Sequence, residues 1–115
     1  MTKEQFEKIT AWQKETFGTA TPISKMHHLK EEVQELLIEL EDWYGSGFPK
    51  SETTWQDAKI DKEFADCFFL IFGAAAAHGM SYEDICSAIE MKFVINKNRK
   101  WGKPDKNGVI NHIKI

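Results

Sequence analysis

Apolar positions recur at helical spacing along most of the chain, and the pattern predicts four successive α-helices. In the first, about Lys3–Phe17, Phe6, Ile9, Trp12 and Gln13 share one face, and Gly18 supplies a C-terminal stop. A turn through Thr21 and Pro22 leads into the second, near Ser24–Tyr44. Its stripe of Leu29, Val33, Leu36, Leu37 and Leu40 is the pattern of a buried face, centred near Val33 and Leu40. The third starts in the region of Thr53–Asp57 and stops at His78 before Gly79; from Phe64 to Ala77 it is apolar nearly all round, as in a central, buried element. Ser81 with Asp84 reads as a capping box that opens the fourth, which runs to about Lys100. Residues 45–57, GSGFPKSETTWQD, are loop by composition, and the tail 101–115 offers Val109, Ile110, Ile113 and Ile115 for a short strand or an arm. The expected fold is all-α: one four-helix, bundle-like domain over residues 1–115.

Composition narrows the class. A 115-residue chain with 42% hydrophobic and 29% charged residues fits a soluble globular domain. Its net charge of −3, without a long basic run, disfavours binding to a nucleic-acid polymer. The opening MTKEQFEKIT has no signal-peptide core, and Asp66 interrupts the longest apolar stretch, so neither export nor a membrane span is expected. Cys67 and Cys86 lack CxxC spacing and read as reduced core thiols of a cytoplasmic protein.

Charge placement adds chemistry to the helices. Glu32 and Glu35 lie three residues apart on the second helix, and Glu63 and Asp66 repeat that spacing on the third. Residues so spaced project from one helix face about a turn apart, so two such helices side by side bring four carboxylates together. Hard divalent cations such as Mg²⁺ or Mn²⁺ take oxygen donors of this kind. For the second helix alone a solvated edge is the better explanation of the acids, with Glu35, Glu39 and His28 on one flank; for the third, pairing of Glu63 with Lys59 or Lys62 is the competing explanation. Asp66, the only charge from Phe64 to Ala77, is expected to be buried and therefore to need a partner. Metal ligation accounts for both pairs at once.

On the fourth helix, Ile85, Ala88 and Ile89 form the expected inward stripe, and the same face continues as Lys92, Asn96 and Arg99. Either the helix end emerges into solvent or this stripe meets a polyanion, where cations neutralise phosphate oxygens and an amide supplies an oriented donor. A di-iron centre is a poorer match, because no histidine here follows a glutamate at the Glu-x-x-His spacing.

With these residues in place, KEEVQEL followed by KEFADCFFL resembles the EExxE…ExxD signature of the all-α, MazG-like nucleoside triphosphate pyrophosphohydrolases. KFVINKNRKWG is similar to the Lys-x₃-Asn-x₂-Arg element that follows in that family, and WQKETFG with HHLKEE resembles its dATP/dGTP diphosphohydrolase branch. The likeness runs from about Trp12 to the tail. One departure is the long 45–57 connection, which leaves 27 residues between Glu35 and Glu63.

The resemblance implies hydrolysis of a (deoxy)nucleoside triphosphate to the monophosphate and pyrophosphate, with a purine deoxynucleotide as substrate. It implies two or more Mg²⁺ ions, replaceable by Mn²⁺, on Glu32, Glu35, Glu63 and Asp66. Glu35, with Glu31 in reserve, would accept the proton of the attacking water. Lys92, Asn96, Arg99 and Lys97 would hold the triphosphate, and Trp12 or His28 would meet the base, although a Trp on an amphipathic helix is also an ordinary core residue. Family members resemble homodimers or homotetramers. The non-enzymatic alternative is a helical interaction module that presents Trp43, Tyr44, Phe48 and Trp55 to another protein.

Overall fold

The computed structural model describes residues 1–45 and 55–114, apart from the side chains of residues 55–57. It contains four helices, α1 (Lys3–Thr16), α2 (Pro22–Gly45), α3 (Trp55–His78) and α4 (Tyr82–Lys97). An isolated antiparallel bridge, Trp101 with His112, is the extended pairing among the described residues, so the chain is all-α. The connection predicted over 45–57 falls largely outside the described residues.

Local chemistry sets the helix starts. Thr2 caps α1 by accepting from the Gln5 amide at 3.1 Å, while Gln5 Oε1 accepts from the Thr2 amide at 2.9 Å. Helix α2 begins two residues earlier than predicted. Pro22 occupies the first helical position, where a missing N–H costs nothing, and Thr21 caps the helix through reciprocal bonds with Ser24 of 2.8 and 3.0 Å.

The chain divides into two compact units, Met1–Tyr82 and Glu83–Ile115. In the first, α2 and α3 form the main packed pair. Leu36, Trp43 and Ile60 are its buried cluster, with Leu40 and Cys67 against it. Helix α1 packs on α3 through Phe6, whose ring meets Phe72 edge-on at 6.2 Å and Tyr82 at 5.7 Å. Gln13, also buried, donates from Nε2 to the Phe69 carbonyl at 2.8 Å.

Burial corrects four expectations. The covered face of α2 follows Lys25, Leu29, Glu32, Leu36, Leu40 and Trp43, whereas Val33 and Leu37 are half exposed. The apolar stripe is wider than the strip that α3 covers, so its centre shifts about one position and Glu32 enters the packed register. Trp43, expected to be an exposed aromatic, is part of the core. Trp12 is 56% exposed and packs only edge-on against Phe17, so it is not core. Asp66 is exposed, and so are Phe64, Phe68, Phe69 and Ile71 around it. An all-apolar helix needs cover on every side, and within this unit α3 is covered by α1 and α2 alone.

In the second unit, α4 ends at Lys97 rather than Lys100, because the chain turns there, with Arg99 N donating to Asn96 O at 3.3 Å. Its described residues are not buried, and the expected inward residue Ile89 is exposed. The tail folds back on itself. Gly102 donates to Asn111 O at 2.9 Å and Ile113 to Lys100 O at 2.7 Å, around a turn in which Asp105 Oδ1 accepts from Asn107 and Val109 and Gly108 takes φ 80°. Among the described residues no single helix is long and apolar enough to cross a membrane.

Candidate active site

Helices α2 and α3 run antiparallel, since pairings that fall along α2 rise along α3: Glu39 with Lys59, then Glu32 with Glu63 and Asp66. The two helices bring one carboxylate oxygen each of Glu32, Glu63 and Asp66 within 4.8 Å of one another. Glu32 and Glu63 are half-buried and Asp66 opens to solvent.

Such crowding has electrostatic consequences. Partial burial, then the neighbouring charges of Glu32, Glu39 and Glu35, raise the Glu63 pKa above the ordinary glutamate value, while Lys59 opposes them. The Cys67 thiol is also pushed up, by burial first and then by Glu32, Asp66 and Glu63. Lys59 donates to Glu39 at 2.9 Å, and that bond and charge raise its own pKa. One cation beside this many acids leaves a negative surplus, which a bound cation would neutralise.

The donor set fits a divalent ion. Mg²⁺ holds oxygens at about 2.1 Å, so two ligands on opposite sides of one ion stand about 4.2 Å apart. Three carboxylate oxygens within 4.8 Å reach that spacing by small side-chain rotations. Glu35 and Glu31 are exposed and lie outside this tightest group, although Glu35 is near enough to act on Glu63.

Beyond the acids, His28 Nε2 lies 3.3 Å from Glu32 Oε1. His28 also lines a cavity of about 170 Å³ together with Gln13, Phe17, Lys25 and Leu70. A second cavity of about 480 Å³ shares Gln13, Phe17 and Lys25 and reaches Gly73, Ala76 and Ala77. Trp12 lines neither. In the second unit, Arg99 Nη1 donates to Asn96 Oδ1 at 3.2 Å, Trp101 Nε1 donates to Asn96 O at 3.0 Å, and Lys97 Nζ sits 5.4 Å over the Phe93 ring. Lys92 is exposed.

Two buried polar residues escaped the sequence reading as site residues. Lys25 is 9% exposed, and its ammonium lies 5.8 Å over the Phe17 ring without an ion pair or hydrogen bond among the described residues. Gln13 Oε1 is buried without a partner, a situation that costs about 1–3 kcal/mol. Lys25 carries a signal that was available: it stands seven residues before Glu32, on the same helix face.

The model of the dATP/dGTP pyrophosphohydrolase family matches residues 52–115, more than half of the chain and the part that includes Glu63, Asp66 and the Lys92, Asn96, Arg99 group. Among solved structures, the chain is similar to the cyanophage S-2L MazG-like pyrophosphohydrolase, described as bound to dGDP and three catalytic Mn²⁺ ions per active site. That similarity has a TM-score of 0.69 and 25% identity, over 99% of each chain. Comparison with curated proteins gives no match. Helix order, paired acids and sequence profile lead to one conclusion: the chain belongs to the dATP/dGTP pyrophosphohydrolase family.

Proposed function

We propose that this nucleotide pyrophosphohydrolase acts on purine deoxynucleoside triphosphates, dGTP and dATP, and releases the monophosphate and pyrophosphate. The observation that carries the reading is the convergence of Glu32, Glu63 and Asp66 from two helices. Together with Glu35 they would hold two or more Mg²⁺ ions, or Mn²⁺ in their place. Such ions supply Lewis-acid polarisation of the α-phosphate and a lowered pKa for the attacking water.

The chain's own residues have separable tasks. Glu35, exposed beside the cluster, accepts the proton of the water that attacks the α-phosphorus; Glu31 is the reserve base. The bond from that phosphorus to the bridging oxygen breaks, and pyrophosphate departs. Lys92, Asn96, Arg99 and Lys97 neutralise and orient the polyphosphate, and the Arg99–Asn96 bond holds two of them as a pair. His28 orients the Glu32 carboxylate. Trp12, half exposed on α1, is the weaker of the two residues proposed to meet the base.

The active form is a homodimer or homotetramer in the cytoplasm. Exposed Phe68 on α3 and exposed Ile89, Met91 and Phe93 on α4 support a second copy as their cover. The purely structural interaction module has less behind it, since Trp43, one of its contact aromatics, is core.

The test is a panel of ribo- and deoxyribonucleoside triphosphates incubated with protein and Mg²⁺ or Mn²⁺, scored for monophosphate and pyrophosphate. Metal-dependent release from dGTP and dATP is expected; release of orthophosphate instead would overturn the reaction assignment.

A further inference from the structure

The two cavities beside α1 share Gln13, Phe17, Ala20 and Lys25, and two of these four carry polar side chains with an unused hydrogen-bonding group. Lys25 makes no ion pair among the described residues, and Gln13 Oε1 lacks a donor. Gln13 Oε1 is enclosed, whereas the Lys25 ammonium is accessible in the cavities it lines and can give its donors to a ligand with acceptors. The orientation of the Gln13 amide is fixed by chemistry: its other end faces the Phe69 carbonyl at 2.8 Å, which only an N–H can satisfy. The vacant atom is therefore the oxygen. The site thus offers donors from Lys25 above the apolar walls of Phe17, Leu70, Ala76 and Ala77.

Position relates this pocket to the acids. Lys25 precedes Glu32 by two helical turns on α2, and Gly73 follows Asp66 by two turns on α3, about 10 Å of rise in each case. His28 touches both places, since it borders the smaller cavity and its Nε2 is 3.3 Å from Glu32. A triphosphate gripped at the acids with its nucleoside directed along this groove puts the base at Lys25.

We propose that Lys25 is the base-reading residue of the enzyme and that it selects guanine. This rests on the hydrolase reading above. The guanine edge carries two adjacent acceptors, O6 and N7, which match a side chain that has donors only. Adenine puts an amino group where O6 stands, opposite the ammonium donors. The cavity volume suits a purine and its sugar.

The experiment compares wild type, Lys25→Met and Lys25→Arg for turnover of dGTP and dATP with Mg²⁺, and for metal-free binding of dGMP and dAMP. Lys25→Met should raise KM for dGTP and weaken dGMP binding about 5- to 150-fold, the range for a lost bidentate base contact. The dATP values should move less than threefold, and Lys25→Arg should restore the guanine preference. If Lys25→Met does not fold, wild type assayed with 7-deaza-dGTP and with the 2-aminopurine analogue, which lack N7 and O6 respectively, should show the same rise in KM. Unchanged dGTP values in a folded Lys25→Met enzyme, equal losses for both purines, or full activity on both analogues overturn the assignment. Wild type that binds dGMP through Lys25 yet hydrolyses no triphosphate leaves the pocket standing and removes the hydrolase reading.

Discussion

His28 Nε2 stands 3.3 Å from Glu32 Oε1, and through this pair the carboxylate cluster meets the cavity that holds Lys25 and Gln13. Glu32 therefore has two duties, one toward its acidic neighbours and one toward the histidine. The first expectation concerns metal. A ligand bound only by the native state adds about 2.7 kcal/mol at one hundred times its Kd, so saturating Mn²⁺ should raise the wild-type melting temperature by several degrees. Glu32→Gln and Asp66→Asn should each lose most of that rise and about 100-fold or more of the turnover while keeping the helical circular-dichroism spectrum. An unchanged metal shift in both variants would remove the cluster from consideration.

Much of this arrangement was legible in the chain. Helices end where Gly18 and Gly79 lie, and the Glu32/Glu35 and Glu63/Asp66 spacing puts acids on two facing helices, where Glu32, Glu63 and Asp66 converge. The errors share a physical origin: periodicity says that a face is apolar but not how much of it a neighbour covers. Asp66 looked buried because its neighbours in sequence are apolar, yet those neighbours are themselves exposed in this unit. Lys25 and Gln13 are hard to read as site residues for the converse reason, although the spacing of Lys25 to Glu32 hints at a shared face. Their polarity suggests solvent, and only the packing of α1 and α2 against α3 encloses them.

Glu35 allows proton transfer to be separated from metal binding. It lies outside the tightest oxygen group but close enough to influence Glu63. Glu35→Gln should keep more than half of the Mn²⁺-induced melting shift and still lose about 100-fold in kcat, the loss expected when a general base is removed. Parallel loss of both quantities would make Glu35 a ligand first.

The crowding at Glu63 predicts a pH dependence with a definite sign. Its folded-state pKa lies above the unfolded value of about 4.3, so between those two values the folded state binds more protons than the unfolded chain. Stability from this group is therefore present at acidic pH and lost as pH rises through the folded pKa. In chelator, melting temperatures of wild type relative to Glu63→Gln should fall from pH 4 toward pH 8, and added Mn²⁺ should reverse the trend by neutralising the cluster. A difference that grows with pH in chelator contradicts the crowding.

Gly73 gives the strictest test of the Gln13 placement, because two substitutions should interact with a change of sign. A Cβ at Gly73 would lie 2.8 Å from Gln13 Oε1 and 3.0 Å from its Cδ and Nε2, on a buried side chain held by its bond to the Phe69 carbonyl. Overpacking of this kind costs about 1–3 kcal/mol, more than the roughly 1 kcal/mol that alanine adds over glycine inside a helix. Gly73→Ala should therefore destabilise the wild type by about 1 kcal/mol and break the bond from Gln13 to the Phe69 carbonyl. In a Gln13→Ala background the obstruction is gone, and the same substitution should stabilise by up to about 1 kcal/mol. Urea titrations of the four proteins in the cycle give the coupling directly. If Gly73→Ala has the same effect with and without Gln13, the amide does not rest on α3 at this glycine.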